Sequence, residues 1–173
     1  NKECQTLNIE KILDKITKLV DRWSKRNLTL LGKILIVKAL LLPNLTYFAT
    51  NGIITKLQII NNIIYRFVWN GRKDKIKRSI LTKNYAEGGL KMIDLESYIM
   101  SIHIKWIKKI IQSENANWSV LPKLYLNKFG KNLLIFKINI KHIKSIDKRI
   151  WNNTSLFYQE LIKSWIQVNL NEA

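Results

Sequence analysis

The sequence is poor in cysteine, histidine and acidic residues, and each shortage excludes something. Cys4 is the one cysteine, so no internal disulfide forms and a reducing interior suits the chain best. His103 and His142 are the two histidines, and one thiol with two distant imidazoles cannot build a zinc tetrad. Neither a structural metal nor any other cofactor is therefore expected. Asp and Glu number 12 against 30 Lys and Arg, giving a net charge of +18 and a pI of about 10.1. That imbalance points to an anionic partner: nucleic acid, an acidic membrane or an acidic protein. Codon bias is a competing source of lysine, because Ile, Asn and Lys are all abundant and all have A/T-rich codons, but it does not account for the scarcity of acids.

A long uninterrupted apolar run is also lacking. The longest uncharged stretch, Ala39 to Thr55, is broken by Pro43, Asn44, Asn51 and Gly52. Upstream extension meets Lys38 and Lys33, each costing about 2.5–3.5 kcal/mol at a membrane centre. A buried core helix, and no membrane partner, is the expectation. The first ten residues are polar and do not form a signal peptide. With no initiating Met, the chain is expected to be a piece of something longer.

What is present is a chain of 173 residues that is 47% hydrophobic, enough to bury a core. Asn8 to Arg26 has Ile9, Ile12, Leu13, Ile16, Leu19, Val20 and Trp23 at helical spacing. Lys11, Lys15, Lys18, Arg22 and Lys25 occupy roughly the opposite face, flanked by Glu10, Asp14 and Asp21. That stripe reads equally as a solvated face with i,i+4 ion pairs or as a rail for phosphates. A second helix is predicted from about Leu30 to Leu42, capped by Asn27 or Thr29, apolar nearly all round, with Gly32 marking close packing and Pro43 ending or kinking it. A third runs from Thr55 to about Trp69 and stops at Asn70-Gly71.

The densest basic run follows: Arg72, Lys73, Lys75, Lys77 and Arg78, opposed by Asp74. Ile76 to Thr82 and Gly89 to Ile93 read as a short β-hairpin around Gly88-Gly89. Asp94 caps a helix to about Gln112, in which His103 borders the apolar stripe as a packed, hydrogen-bonded residue. Beyond Ser113, Trp118 to Leu126, Lys141 to Trp151 and a segment after Ser155 read as helices, with a basic loop at Lys128 to Lys131. The fold expected is mainly α: a helical bundle over residues 1–70, a basic linker, β-hairpin and amphipathic helix over 71–112, and a C-terminal helical extension over 113–173.

No catalytic constellation emerges. Two-metal chemistry needs clustered carboxylates, and the closest pair, Asp94 and Glu96, stands at a helix start where acids are expected anyway. There is no phosphate loop and no nucleophile elbow. A non-catalytic module is the expectation, so function must come from binding.

Three segments resemble a known family when taken in order. They are Arg22-Trp23 through Leu28, Leu31-Gly32-Lys33-Ile34, Lys38 and Pro43; then Phe67-Val68-Trp69-Asn70-Gly71-Arg72; then Gly88-Gly89-Leu90 before a helix bearing Tyr98 and Trp106. This set resembles the region downstream of the polymerase palm in LINE-type (non-LTR) retrotransposon reverse transcriptases. The likeness covers about residues 5 to 112 well; the remainder, including Phe157-Tyr158 through Trp165, matches loosely. The resemblance implies a thumb-like helical bundle that grips an RNA and DNA template–primer duplex. It implies a parent RNA-directed DNA polymerase with an endonuclease, whose palm is missing from this chain, in the nucleus and cytoplasm of a eukaryotic host. The duplex contacts it implies are Arg22, Lys25, Arg26, Lys33 and Lys38, then Arg72, Lys73, Lys75, Lys77 and Arg78, all to phosphates, which position without reading sequence. Trp23 and Trp69 read as core residues in preference to base-stacking platforms. Two other classes stay open: a structural module packing on the missing palm, its charge mostly codon bias, and a basic helical protein of membrane surfaces.

Overall fold

The computed structural model describes residues 2–51, 56–113, 116–127 and 148–171. The expected helix around Lys141 and the basic loop at Lys128 fall largely or wholly outside these residues. The described chain is mainly α-helical: α1 (Lys2–Ser24), α2 (Leu30–Ile36), a π-helical stretch (Val37–Leu41), α3 (Leu42–Asn51), α4 (Leu57–Val68), α5 (Arg78–Leu81), α6 (Leu95–Gln112), α7 (Val120–Asn127), α8 (Lys148–Asn152) and α9 (Leu156–Asn171), with 3-10 turns at Tyr85–Glu87 and Asn117–Ser119. It divides into two compact units, residues 1–99 and 100–173.

The first unit is built on an aliphatic core. Ile12 and Ile16 of α1 meet Ile34, Val37, Leu41 and Leu45 of the second helical run and Ile60, Ile64, Phe67 and Val68 of α4. Trp69 is buried in the same core, and Trp23 packs half-buried at its margin. Thr29 caps α2, its hydroxyl accepting from the Gly32 amide at 3.2 Å, a contact worth about 1 kcal/mol. A Cβ on Gly32 would come 3.3 Å from that hydroxyl, so the glycine leaves room for the cap.

Pro43 does not end its helix. The run continues to Asn51 because the preceding turn widens to π geometry, with the Leu42 amide bonding Val37 five residues back. A proline removes one i→i−4 bond and crowds the carbonyl four residues before it, and the wider turn relieves both. Leu30–Thr50 has the length and apolar character of a membrane-crossing helix, with a mean hydropathy of 1.5. One side of it is core, while Leu31 (44%) and Leu35 (55%) are exposed.

The expected β-hairpin is absent, and no β-strand occurs among the described residues. The apolar residues Ile76, Ile80 and Leu81 suit a short helix as well as a strand, and α5 forms. The returning segment then bonds the end of α5: the Leu90 and Met92 amides both donate to the Leu81 carbonyl, at 3.1 and 2.8 Å, and Lys91 donates to Lys83 at 2.9 Å. Those bonds satisfy the helix-end carbonyls, which are otherwise orphaned. They leave no pair of strands to form a ladder.

In the second unit Ile110, Leu126 and Ile162 form a small core, with Trp106, Ile150, Trp151, Tyr158 and Ile166 packed around it. His103 is buried, as expected, and its Nδ1 lies 2.8 Å from the Ser164 hydroxyl. Burial lowers its pKa from the ordinary histidine value, with Glu160 opposing.

Candidate nucleic-acid interface

The candidate interface is organised by α4 and by the turn that ends it. Asn70 (φ 55) and Gly71 (φ 74) are both left-handed, a conformation that asparagine and glycine adopt most readily. The Gly71 amide reaches back to the Arg66 carbonyl at 2.7 Å, and Asn70 to Phe67 at 3.2 Å, closing the helix end. From this turn the basic segment departs.

Lys33 fixes the turn from below. Its side chain is 2% exposed, and its ammonium donates to the Phe67 carbonyl at 3.0 Å and to the Asn70 side-chain oxygen, 5.2 Å from the Phe67 ring centre. Burial lowers its pKa below the usual 10.5. Two of the three segments singled out in the sequence thus meet in space, Lys33 bonding Phe67 and Asn70 of the turn. Lys33, expected among the phosphate contacts, is a buried residue whose ammonium donates to the end of α4 and to the turn after it.

The third segment, Gly88-Gly89-Leu90, is also architectural. Asn84 and Glu87 form a reciprocal capping box, and Gly88 (φ 76) closes it. A Cβ on Gly89 would lie 2.1 Å from the Lys83 carbonyl oxygen and 2.7 Å from that of Ile80, so glycine alone fits there.

The remaining basic residues divide clearly. Arg22, Lys25, Arg26, Arg72, Lys73, Lys75 and Lys77 are exposed; Lys38 is half-buried in the π stretch. Arg26 lies 4.4 Å over the Trp23 ring, a cation–π contact that orders its head group without covering it. Arg78 is committed inside the unit. It donates to Asp74 at 2.7 Å and to Asn62 at 3.1 Å, and lies 4.2 Å over Tyr65. That neighbourhood acts on Tyr65: burial raises its phenol pKa, while the Arg78 cation pulls the other way.

A groove of about 300 Å³ lies between the last turns of α1 and α4, lined by Thr17, Val20, Asp21, Ser24, Ile63, Arg66, Phe67 and Gly71. Ser24 and Gly71 share this groove, so Lys25 and Arg72, their chain neighbours, flank one surface. One residue of each basic cluster thus adjoins, in the chain, a residue of the groove. Arg66 and the groove itself went unread in the sequence. The available signal is that Arg66 is the single charged residue of α4, an otherwise neutral helix.

Among the described residues no group of three or more His, Cys, Asp or Glu side chains is arranged to hold a metal ion. No family model matches the chain, and no solved structure matches it.

Proposed function

We propose that this chain is a non-catalytic nucleic-acid-gripping module of a LINE-type reverse transcriptase, holding an RNA and DNA template–primer duplex beside a palm supplied elsewhere in its parent protein. What supports it best is that exposed Arg22, Lys25 and Arg72 are the chain neighbours of Asp21, Ser24 and Gly71, three residues that line one groove. Lys75 and Lys77 extend the basic surface along the exposed segment. Such cations act by displacing counterions from phosphates, so affinity falls steeply with salt and shows little sequence preference. A parent that copies RNA into DNA sets the working place of the module in the cytoplasm and nucleus of a eukaryotic cell.

The test is binding of the chain to a labelled RNA–DNA hybrid across a salt series, with circular dichroism as a check on folding. Replacing Arg72, Lys73 and Lys75 by Gln lowers the log–log salt slope by roughly two to three. An unchanged slope sinks the assignment. Arg78→Gln belongs outside that set, since its guanidinium is already engaged by Asp74 and Asn62.

A second reading, a module that packs on the missing palm, is favoured by one observation. Leu31, Leu35, Ala39 and Pro43 form an exposed apolar stripe along the second helical run. Under this reading Leu35→Lys abolishes the binding of an apolar-surface dye and leaves hybrid binding unchanged.

A further inference from the structure

We infer that the groove between α1 and α4 is a subsite for one unpaired nucleotide, its base inserted donor-edge first and guanine preferred. The inference rests on the nucleic-acid reading above and deepens it. The volume, about 300 Å³, is at the small end of ligand pockets, which run from roughly 300 Å³ upward. Its lining has two characters. Val20, Ile63 and Phe67 supply apolar surface for a flat ring, while Thr17, Asp21, Ser24 and Arg66 supply polar groups.

Electrostatics set the orientation. Asp21 and Ser24 lie in the last turn of α1, and Arg66 and Phe67 in the last turn of α4. Two helix C-termini therefore converge on the groove, each with the negative end of its dipole. With the Asp21 carboxylate they disfavour a phosphate inside the groove and favour hydrogen-bond donors. The chain neighbours of Asp21, Ser24 and Gly71 have the opposite sign: Arg22, Lys25 and Arg72. A nucleotide satisfies both when its base points inward and its phosphate lies outward. Neither the Asp21 carboxylate nor the Arg66 guanidinium is tied to another side chain among the described residues, for the ion pairs formed there lie at Asp14–Lys18, Asp74–Arg78 and Glu160–Lys163. Both are available to a ligand.

Guanine follows from Asp21. A carboxylate accepts two parallel hydrogen bonds, and the N1–H and N2–H₂ edge of guanine presents two donors side by side. Adenine and cytosine offer one amino group beside an acceptor, and uracil one imino N–H between two carbonyls. Arg66, which lines the groove from the facing helix, is the cation assigned to the phosphate.

The experiment compares the whole chain on RNA–DNA hybrids that are blunt or end in a single unpaired G, A, C or U, with guanosine and uridine 5′-monophosphate titrated separately. An unpaired G is expected to tighten binding by about fivefold or more over the blunt hybrid, in the range of one good bidentate base contact. Unpaired U should give no gain. Asp21→Asn should bring the ratio of G-overhang to blunt affinity, read within that variant, to near one. Arg66→Gln should weaken guanosine monophosphate while leaving unphosphorylated guanosine unaffected. Equal affinity for blunt and overhanging hybrids, together with no preference between the free nucleotides, overturns the subsite. If that result comes with a steep salt slope, the duplex grip stands alone. If hybrids fail to bind but guanosine monophosphate binds through Asp21, the subsite stands and the duplex grip falls. Failure of every ligand removes both.

Discussion

The two units solve the problem of polar groups in opposite ways. The first buries an aliphatic core and holds a full positive charge within it, the Lys33 ammonium, against a helix-end carbonyl and an asparagine oxygen. The second is held by rings and side-chain hydrogen bonds, and its own ammonium-to-carbonyl bond, from Lys123 to Ser113, is only part-buried. Trp106 meets Trp118 and Phe157 edge to face at 6.0 and 6.2 Å, Tyr125 stacks on Tyr158 at 4.9 Å, and the Gln159 amide bonds the Trp151 and Thr154 carbonyls at 2.8 and 3.0 Å. In the first unit, then, the polar and glycine residues of the segments singled out in the sequence build turns, and Lys25, Arg72, Lys73, Lys75 and Lys77 stand exposed beside them. Cations lie over rings in both units, Arg26 and Arg78 in the first and Lys109, 5.2 and 5.6 Å from two indole centres, in the second. The glycines and Lys33 of the sequence landmarks build turns, and the cations proposed to bind stand exposed beside them in the same unit.

The sharpest way to break the comparison is Gly89→Ala. The added methyl collides with backbone on two sides, and backbone cannot step aside as a flexible side chain does. A loss of about 3 kcal/mol is expected in chemical denaturation. The loss should appear in the signals of Trp23 and Trp69, with those of Trp106 and Trp118 read in parallel. A loss under about 0.5 kcal/mol removes the steric account of the Gly88-Gly89 segment.

Next in size is Lys33→Met, which keeps the volume and removes the donors. It removes two hydrogen bonds, although the Phe67 carbonyl keeps the Asn70 amide and Asn70 itself is exposed, so a cost of about 1 kcal/mol is expected. Its pH dependence gives a second check. Burial lowers the folded-state pKa of Lys33 below 10.5, so between those values the unfolded chain binds more protons and stability rises with pH. The variant lacks that rise. The advantage of the parent chain should therefore be larger near pH 10 than at pH 7, and an advantage independent of pH contradicts a buried, titrating lysine.

Much of the chain up to Gln112 was legible. Regular apolar spacing located the helices observed at Lys2–Ser24, Leu57–Val68 and Leu95–Gln112, and Asp94 caps the last of these, accepting from the Ser97 amide at 2.9 Å. What escaped was tertiary. Lys33 lies beside Ile34 and one helical turn before Val37, on the side that becomes core, yet a lysine reads as surface until an acceptor for it is known. The false hairpin had a different cause: over Ile76 to Thr82 the apolar pattern is too short to separate a period of two from 3.6. In the second unit the rings were visible as residues but not as pairs, because aromatic contacts between α6, α7 and α9 have no fixed spacing in the chain.

His103→Leu tests the side-chain hydrogen bonding of the second unit and should have an effect no larger. It strands the Ser164 hydroxyl, costing about 1 kcal/mol at neutral pH. The informative part is the acid side. With its folded pKa below 6.5, His103 makes stability fall as pH drops from about 6.5 towards that folded value, because the unfolded chain takes up the proton first. The leucine variant should lose less stability over that interval. Equal acid sensitivity in the two proteins assigns the fall to other groups.

The smallest effect is expected at Lys18, and it bears on whether the outer face of α1 is a rail or a solvated surface. Lys18 pairs with Asp14 at 2.7 Å, with 72% and 60% of the two side chains exposed. Such pairs contribute about 0.2–1 kcal/mol, and many contribute nothing measurable, so Lys18→Ala should barely shift the denaturation midpoint. Its effect on hybrid binding is the discriminating one. A phosphate must compete with Asp14 for that ammonium, whereas Lys25 has no acidic residue three or four positions after it and only Asp21 before it. The salt slope of Lys18→Ala should therefore match that of the parent, while Lys25→Ala lowers it by about one. If Lys18→Ala lowers the slope as much, the duplex runs along α1 well beyond the groove, and the basic surface is a track along the helix with the α4 turn at its end.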